Sequence, residues 1–373
     1  MLRDFRKNKR QNSQKVMKRK KMTPEETQKL NEHIKGISEI LINNTAIENL
    51  KDFESIELIV REHMLNNVSP VVAGFFFETV TGTTVGRTRV VNSIIGKVKI
   101  TSKQAGELGL EKNNRLSPYL EKCCLRLVAN ESFEHAEEDI KMTTGMEVSG
   151  SSQHRLVQRY EFSAPQGKGI IEALSVDGGN VRLRTPLGQE SIWQNYKAVS
   201  LHGQICAAFF RENDQLLSWT NSQPLGKVIT CVGDGHDGIW NLITRIGDSF
   251  QRREVLDWYH LVENLNKVGG SNKRIRRVES YLWDGDIEMA LAEFKGSQNK
   301  SVVNFQNYVQ KHRQRIPDYG LYQDLGICIG SGSVESKIKQ IGARIKITGA
   351  QWKAENVSQI LNLRCAYLNQ AIA

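Results

Sequence analysis

Several features that would define a protein class are missing from this chain of 373 residues. Its six cysteines include no Cys-x-x-Cys pair, which argues against a zinc ribbon and favours buried, reduced thiols. No apolar segment approaches the ~18 residues of a membrane span, and no apolar stretch follows the basic N-terminus as in a secretory signal. No glycine-rich nucleotide loop is present, so an enzyme of small metabolites has little support. We therefore expect a soluble, intracellular protein.

Positive charge is concentrated at the N-terminus. Residues 1–22 contain ten Lys or Arg and one acid, so they carry +9 of the formal net charge of +10. A block of like charges with few apolar residues does not order itself, and a flexible basic arm is predicted. Its natural partner is a polyanion such as nucleic acid. A merely solvated tail is the alternative, and a membrane surface is disfavoured because no bulky apolar face accompanies the charge.

Residues 23–116 are predicted to be helical at first and then to form short strands. Thr23-Pro-Glu-Glu supplies a helix N-cap, and apolar residues at helical spacing continue to residue 66. From Val71 to Ile100, the content of Val, Thr, Gly and Phe favours short strands and turns. This segment suggests no role by itself.

Residues 117–162 are predicted to be helical and to include a candidate helix-turn-helix. One helix begins at Ser132 and ends at a Thr-Gly turn at residues 144–145. A second helix, beginning at residue 151 or 152, would present Arg155 and Arg159. Two short helices joined by a glycine-containing turn fit a DNA-reading unit. An ordinary helical hairpin is the alternative.

Residues 167–373 have the pattern of a mixed α/β domain. The predicted elements are a strand at 170–176 that turns at 178–180 and returns at 181–184, strands at 192–201 and 205–210, a buried strand at 228–232, a helix at 239–250, and a buried strand at 255–259. Three meandering strands followed by strand, helix and strand form the ribonuclease-H-like arrangement, a mixed sheet flanked by helices. A helical, charge-rich insertion is predicted at 262–325.

Three acidic residues stand at recognisable positions. Asp177 and Asp234 each follow an apolar β segment, and Glu335 opens a basic amphipathic helix for which Ser331 and Ser333 are candidate caps. Carboxylates delivered to one place by two strand ends and a helix suit a pair of hard divalent cations.

Each acid also has an ordinary structural interpretation. Asp177 would fit a hairpin turn, and Asp234 would fit a helix cap, where Asp237 competes with it. Glu335 shares a helical face with Lys339 and Lys346, and the first pair is worth ~0.3 kcal/mol when solvated.

Four motifs occur in order along the chain. They are Ser175-Val-Asp-Gly-Gly with Arg182 and Arg184; Gly233-Asp-Gly with Ile239-Trp240-Asn241; Val255-Leu-Asp-Trp-Tyr-His-Leu; and Gly330-Ser-Gly-Ser-Val-Glu-Ser-Lys, continuing through Arg344-Ile-Lys to Gly349-Ala-Gln-Trp352. In combination they resemble the DDE transposases of bacterial insertion sequences, of the Kra type within the Mutator-like group. The resemblance covers residues 117–370, whereas the first 110 residues match poorly.

The resemblance implies a ribonuclease-H-like catalytic core with Asp177, Asp234 and Glu335 as metal ligands for two Mg²⁺ ions, for which Mn²⁺ substitutes. It further implies that Asp257 and His260 lie close to the site and support cleavage or strand transfer. The implied partners are double-stranded DNA, as element ends and target, and further copies of the chain, as a homodimer or higher oligomer on DNA. The implied location is the bacterial cytoplasm at the nucleoid, with no membrane and no small-molecule substrate.

Basic residues outside the arm are candidates for DNA contact. They are Arg155, Arg159, Lys273, Arg274, Arg276, Arg277, Lys339, Arg344 and Lys346. Trp283 and Trp352 are candidates for stacking on bases, although buried core positions are the more common outcome for tryptophan. Two rival functions remain open. One is a DNA-binding protein that has lost catalysis, and the other is a structure-specific nuclease, such as a junction resolvase, that cleaves but never joins ends.

Overall fold

The computed structural model describes residues 20–202 and 204–372. The described residues divide into two compact units, residues 20–83 with 95–99, and residues 84–94 with 100–372. Residues 1–19 of the predicted basic arm lie outside the described part. None of the described helices is long and apolar enough to cross a membrane.

The described residues of the first unit are mainly helical. Its elements are α1 (Pro24–Asn43), a 3₁₀ turn (Ile47–Asn49), α2 (Phe53–His63), a π turn (Met64–Val68) and α3 (Ser69–Thr81). Thr23 and Glu26 form the capping box of α1, since each side chain accepts a hydrogen bond from the backbone N–H of the other. The N-cap predicted at Thr23 is therefore confirmed.

Helix α3 corrects the prediction of strands and turns after Val71. Pro70 occupies the first turn of α3, and Gly82 ends it with a left-handed φ of 63°. The segment is helical although its composition favours β-strands, because Pro and Gly mark the ends of a helix and β-propensity depends strongly on context. The strands of this region come later, as β1 (Thr88–Ser93) and β2 (Gly96–Thr101).

Helices dominate residues 102–159 of the second unit. They are α4 (Ser102–Glu107), α5 (Pro118–Val128), α6 (Phe133–Thr144) and α7 (Gly150–Arg159). Ser132 caps α6 through its side chain, and Gly145 ends that helix with a φ of 71°. The predicted pair of helices with a glycine turn is confirmed, although α7 begins one or two residues earlier than predicted.

A five-stranded mixed sheet forms the centre of the second unit. Its strands are β3 (Ile171–Leu183), β4 (Ile192–Leu201), β5 (Ile205–Phe210), β6 (Leu225–Gly233) and β7 (Arg252–Leu256), in the spatial order β5-β4-β3-β6-β7. The β3–β4 and β4–β5 pairs are antiparallel, whereas β6 lies parallel to β3 and to β7. The predicted mixed α/β architecture is therefore confirmed.

The two faces of this sheet are covered by different helices. Successive residues of β4 belong to different apolar clusters, Ala198 to one and Val199 to the other, as strand alternation requires. The Val199 cluster includes residues of the helices between 213 and 322, and the Ala198 cluster includes residues of α5, α6 and α7 and of the C-terminal helices. The sheet is thus the middle of three layers.

Strand β3 is continuous through the turn predicted at residues 178–180, so that prediction is wrong. Asp177 pairs with Ala198, and Gly179 pairs with Tyr196. A Cβ on Gly179 would lie 2.3 Å from Cζ of Tyr196. Glycine is needed here because an aromatic ring crosses the strand.

The remaining elements are helical. They are α8 (Asn213–Asn221), α9 (Asp237–Ile243), α10 (Trp258–Asn266), α11 (Asn272–Trp283), α12 (Ile287–Ala292), α13 (Lys300–Lys311), a 3₁₀ turn (Arg313–Arg315), α14 (Tyr319–Asp324), α15 (Gly332–Ile345) and α16 (Ala354–Leu368). The helical character predicted for 262–325 is confirmed. Helix α9 is shorter than the predicted 239–250, and the strand predicted at 255–259 ends at Leu256 because Asp257 caps α10.

Candidate active site

The strand order brings Asp177 of β3 near Asp234, which directly follows the neighbouring strand β6. Ser175 of β3 is level with Val232 of β6. Asp177 lies two residues beyond this last pair on β3, and Asp234 lies two residues beyond it, just after the end of β6. On the next strand, β7, Leu256 is level with Gly233, and Asp257 directly follows Leu256.

Asp177 and Asp234 affect each other electrostatically. Burial raises the pKa of the half-buried Asp177, and the neighbouring charge of Asp234 raises it further. The backbone N–H of Gly178, His260 and Lys197 act in the opposite direction but do not cancel the effect. Two close carboxylates in a partly buried place favour a cation between them.

Asp257 is a buried carboxylate that accepts three hydrogen bonds. Its side chain is 1% exposed. Oδ1 accepts from the backbone N–H of His260 at 2.7 Å and lies 3.1 Å from Nδ1 of the same residue, while Oδ2 accepts from the backbone N–H of Ser331. Burial acts to raise the pKa of Asp257, but these donors outweigh it, and the pKa falls below its usual value. Asp257 is therefore ionised, and both of its carboxylate oxygens accept hydrogen bonds.

His260 is a cation of the site at neutral pH. The hydrogen bond to Asp257 raises its pKa to about 9 against the opposing effect of burial, and the charge of Asp234 contributes in the same direction. Because Nδ1 is bonded to Asp257, Nε2 is the nitrogen that remains to donate a proton. The structure therefore brings Asp177, Asp234, Asp257 and His260 into one electrostatic group.

Glu335 lies in the first turn of α15, on the exposed side of the helix. Its Oε1 is 2.6 Å from Nζ of Lys339, and the Glu335 side chain is 45% exposed. The cap predicted for this helix is only partly correct. Ser331 is the N-cap residue, but its side chain makes no capping bond, and its backbone N–H is directed to Asp257 instead. The start of the Glu335 helix is thereby fixed to the site, although no contact joins Glu335 to Asp177 or Asp234.

The donor set fits a hard divalent cation in part. Asp177 and Asp234 offer carboxylate oxygens on neighbouring strands, which suits Mg²⁺. Among residues 20–202 and 204–372, no group of three or more His, Cys, Asp or Glu side chains is arranged to hold a metal ion. Glu335, the third ligand implied by the resemblance, is paired with Lys339 in this conformation.

Two residues near the acids were missed by sequence reasoning. Lys197 pairs with Gly178 across β3 and β4, and its Nζ lies 3.1 Å from the position that a Gly178 Cβ would take. Tyr308 of α13 donates its hydroxyl to the carbonyl of Asp234 at 3.2 Å. A correct prediction of the β3–β4 pairing would have placed Lys197 beside Gly178. No local sequence pattern in the helical insertion predicts that Tyr308 contacts Asp234.

A further polar chain links the sheet to the loop before α15. His202 lies between Ser175 and Cys328, with Nε2 bonded to the Ser175 hydroxyl and Nδ1 3.2 Å from the Cys328 sulfur. The Cys328 thiol also reaches the carbonyl of Gly330 at 3.2 Å. Burial lowers the pKa of His202, so the ring is neutral and bridges the two residues with one donor and one acceptor nitrogen.

The predicted DNA-contacting residues lie in different environments. Arg159 pairs with Glu121, Arg277 with Glu293, and Lys339 with Glu335. Arg274 stacks on Phe294, whereas Arg155, Lys273, Arg276 and Lys346 are exposed. Arg344 is only 2% exposed and lies in the wall of a pocket rather than on the open surface.

The two candidate stacking tryptophans belong to packed regions. Trp283 lies against Trp258 and Tyr319, and Trp352 is 9% exposed and donates to the carbonyl of Ile345 at 2.9 Å. All six cysteines are free, and Cys124, Cys206, Cys231 and Cys365 are buried, as predicted, while Cys123 and Cys328 are half-buried.

Comparison with known proteins gives no identification, since no protein-family model and no curated protein matches this chain.

Proposed function

We propose that this protein is a DDE transposase with a ribonuclease-H-like catalytic core, which cleaves the ends of an insertion sequence and joins them to target DNA. The observation that supports this most is the electrostatic proximity of Asp177 on β3, Asp234 just after β6 and the His260 cation. The four motifs that resemble this family supply these residues. The five-stranded mixed sheet is compatible with such a core.

In this proposal, Asp177 and Asp234 would hold divalent cations together with Glu335. Bound Mg²⁺ would lower the pKa of an attacking water or 3′-hydroxyl and stabilise the leaving oxygen. Glu335 would have to leave Lys339 to join them, and the exchange costs little because exposed i,i+4 pairs contribute roughly 0.3–0.5 kcal/mol.

The chain's own residues contribute charge and position. His260 is held by Asp257 with Nε2 as its remaining donor, so it can hydrogen-bond a phosphate oxygen while negative charge develops there. Ser331 joins the beginning of α15 to the same Asp257. One buried carboxylate therefore positions both the His260 cation and the helix that bears Glu335.

The test is Mg²⁺-dependent nicking and end joining, assayed with supercoiled plasmid that carries the DNA flanking this gene. Asp177→Asn, Asp234→Asn and Glu335→Gln are each expected to abolish nicking while DNA binding is retained. Asp237→Asn is the matched control, because Asp237 lies close by in sequence and pairs with Lys311 on the surface.

The possible outcomes separate the functions. Nicking without joining would support a nuclease, and DNA binding without nicking would support a protein that has lost catalysis. Undiminished nicking by Asp177→Asn would refute the proposed site. As a readout independent of turnover, Mg²⁺ is expected to raise the Tm of the native protein but not that of Asp177→Asn.

A further inference from the structure

A cationic pocket lies apart from the acids, beside the C-terminal end of α15. Its volume is about 540 Å³, and its lining comes from α6, α7, α15, α16, the loop between α15 and α16, and the residue that follows β3. Arg184, Arg344 and Lys353 line it, and none of its lining residues is acidic. Arg344 is nine residues from Glu335, which corresponds to about 13 Å along the helix axis.

Arg344 is held rigidly in the wall of this pocket. Its Nε donates to the carbonyl of Val128, and its guanidinium lies 5.6 Å from the ring centre of Phe133 and 5.1 Å from that of Trp352. The Nη2 atom is buried and has no hydrogen-bond partner. A buried guanidinium nitrogen without an acceptor is costly, which favours an anionic partner.

The pocket carries further features that suit an anion. Ser132, the N-cap residue of the 12-residue helix α6, lines it, and the first turn of a helix presents N–H groups without intrahelical acceptors. The far wall is fixed by its backbone, because the backbone N–H of Arg184 donates to the carbonyl of Trp352 at 2.8 Å and the backbone N–H of Trp352 donates to the carbonyl of Arg182 at 3.0 Å. The backbone that carries Arg184 is thus held in place by hydrogen bonds to Trp352.

Glu131 is the acid that competes for Arg344. It acts on the guanidinium electrostatically, and its Oε1 is also buried without a hydrogen-bond partner. The two residues do not form an ion pair in this structure, so Nη2 of Arg344 and Oε1 of Glu131 are each left without a hydrogen-bond partner, although Glu131 is also hydrogen-bonded to Asp139. Lys353 has a loose partner in Glu355 at 3.6 Å, on the exposed surface.

We infer that this pocket binds a phosphate group through Arg184, Arg344 and Lys353. The phosphate could belong to a DNA strand or to a free phosphate ion, and the inference rests on the proposed function only where DNA is the source. Because Arg344 and Phe133 already stack, the pocket recognises the anion rather than an aromatic base.

The experiment measures inorganic phosphate binding to the full-length protein by calorimetry and binding of a labelled ten-nucleotide single strand by anisotropy. Arg184→Gln with Lys353→Gln is expected to weaken phosphate binding at least tenfold. Lys227→Gln with Lys295→Gln removes the same charge from exposed positions outside the pocket and is expected to change it less than twofold. Glu131→Gln is expected to bind phosphate at least as tightly as the native protein, because a competitor is removed.

Equal losses in the two double variants, or no saturable phosphate binding by the native protein, would overturn the inference. Loss of strand affinity in the pocket variant alone identifies DNA as the source, whereas unchanged strand affinity with lost phosphate binding identifies a free phosphate. Asp177→Asn is expected to bind phosphate normally. Phosphate binding without any nicking would therefore uphold the pocket and refute the transposase.

Discussion

The backbone N–H of Ser331 donates to the carboxylate of Asp257, across 74 residues of chain. The same carboxylate accepts from the backbone of His260 and contacts its ring. The end of β7, the start of α10 and the start of α15 are therefore joined at one buried residue. Disturbance of Asp257 should consequently affect both fold stability and the geometry of the acids.

Asp257→Asn is expected to destabilise the protein by about 1–3 kcal/mol. An amide keeps the shape but places an NH₂ group against a backbone N–H that needs an acceptor. Urea unfolding measures the loss, and the pKa of His260, followed by NMR, is expected to fall from about 9 toward its usual value. Asp237→Asn serves as the control and should leave both quantities unchanged. Retention of the high His260 pKa in Asp257→Asn would contradict the assigned cause.

The His260–Asp257 pair predicts a specific dependence of stability on pH in the metal-free protein. The pKa of His260 is raised from 6.5 to about 9, so its contribution is complete below pH 6.5 and is lost as the pH rises through 9. The lowered pKa of Asp257 makes its own contribution present above pH 3.8 and lost on further acidification. The difference in unfolding free energy between the native protein and His260→Gln should therefore be greatest between pH 4 and 6.5. If the difference in unfolding free energy instead grew above pH 9, protonated His260 would not stabilise the fold and the prediction would be wrong.

Asp177→Asn is expected to be more stable than the native protein at pH 7 without metal. The pKa of Asp177 is raised by burial and by Asp234, so its ionised form is less favourable in the fold than in the unfolded chain. The gain should shrink as the pH falls through the raised pKa, where the native carboxyl is itself protonated. Thermal unfolding at pH 7 and pH 4 measures it. A destabilised variant would mean that Asp177 serves the fold rather than the site.

Cys328 is expected to act as a positioning residue through His202. Cys328→Ser keeps a donor for the Gly330 carbonyl and an acceptor for His202, whereas Cys328→Ala keeps neither. The alanine variant should expose the Ser331 amide to faster hydrogen exchange and lower the nicking rate, and the serine variant should restore both. Equal exchange rates in the two variants would show that the chain from Ser175 to Cys328 does not order the loop.

Gly178 and Gly179 offer a matched pair of substitutions. Gly179→Ala is expected to destabilise the protein by about 1–3 kcal/mol, because its Cβ would collide with the Tyr196 ring at 2.3 Å. Gly178→Ala meets the mobile end of Lys197 at 3.1 Å and should cost much less. Denaturant unfolding compares them. Similar losses of stability in the two variants would show that the contact with Tyr196 does not set the requirement for glycine at residue 179.

Much of the architecture follows from local patterns. Alternating and continuous apolar segments gave the strands at 192–201 and 205–210 with their observed bounds. The Thr23 cap and the helix that begins near Glu335 were also readable, because capping signals act within a few residues. The motifs contain Asp177, Asp234, Asp257 and His260, and these four residues interact electrostatically in the structure.

What local pattern missed depends on distant partners. In the sequence, the glycines after Asp177 have the pattern of a turn, but in the structure the ring of Tyr196 packs against Gly179 within a continuous strand. In the sequence, Asp257 is only a polar residue at a strand end, but in the structure it accepts a hydrogen bond from the distant Ser331. In the sequence, Arg344 has the pattern of a surface cation, but in the structure it contacts Val128, Phe133 and Trp352.

The sequence by itself determined the type and approximate position of most helices and strands, the Thr23 cap and the distribution of charge, because those properties depend on neighbours along the chain. Only the tertiary structure decided which charges are buried, paired or left without a partner. Burial and pairing are properties of groups brought together from far apart, and they set the pKa of Asp177 and His260 and the state of Arg344.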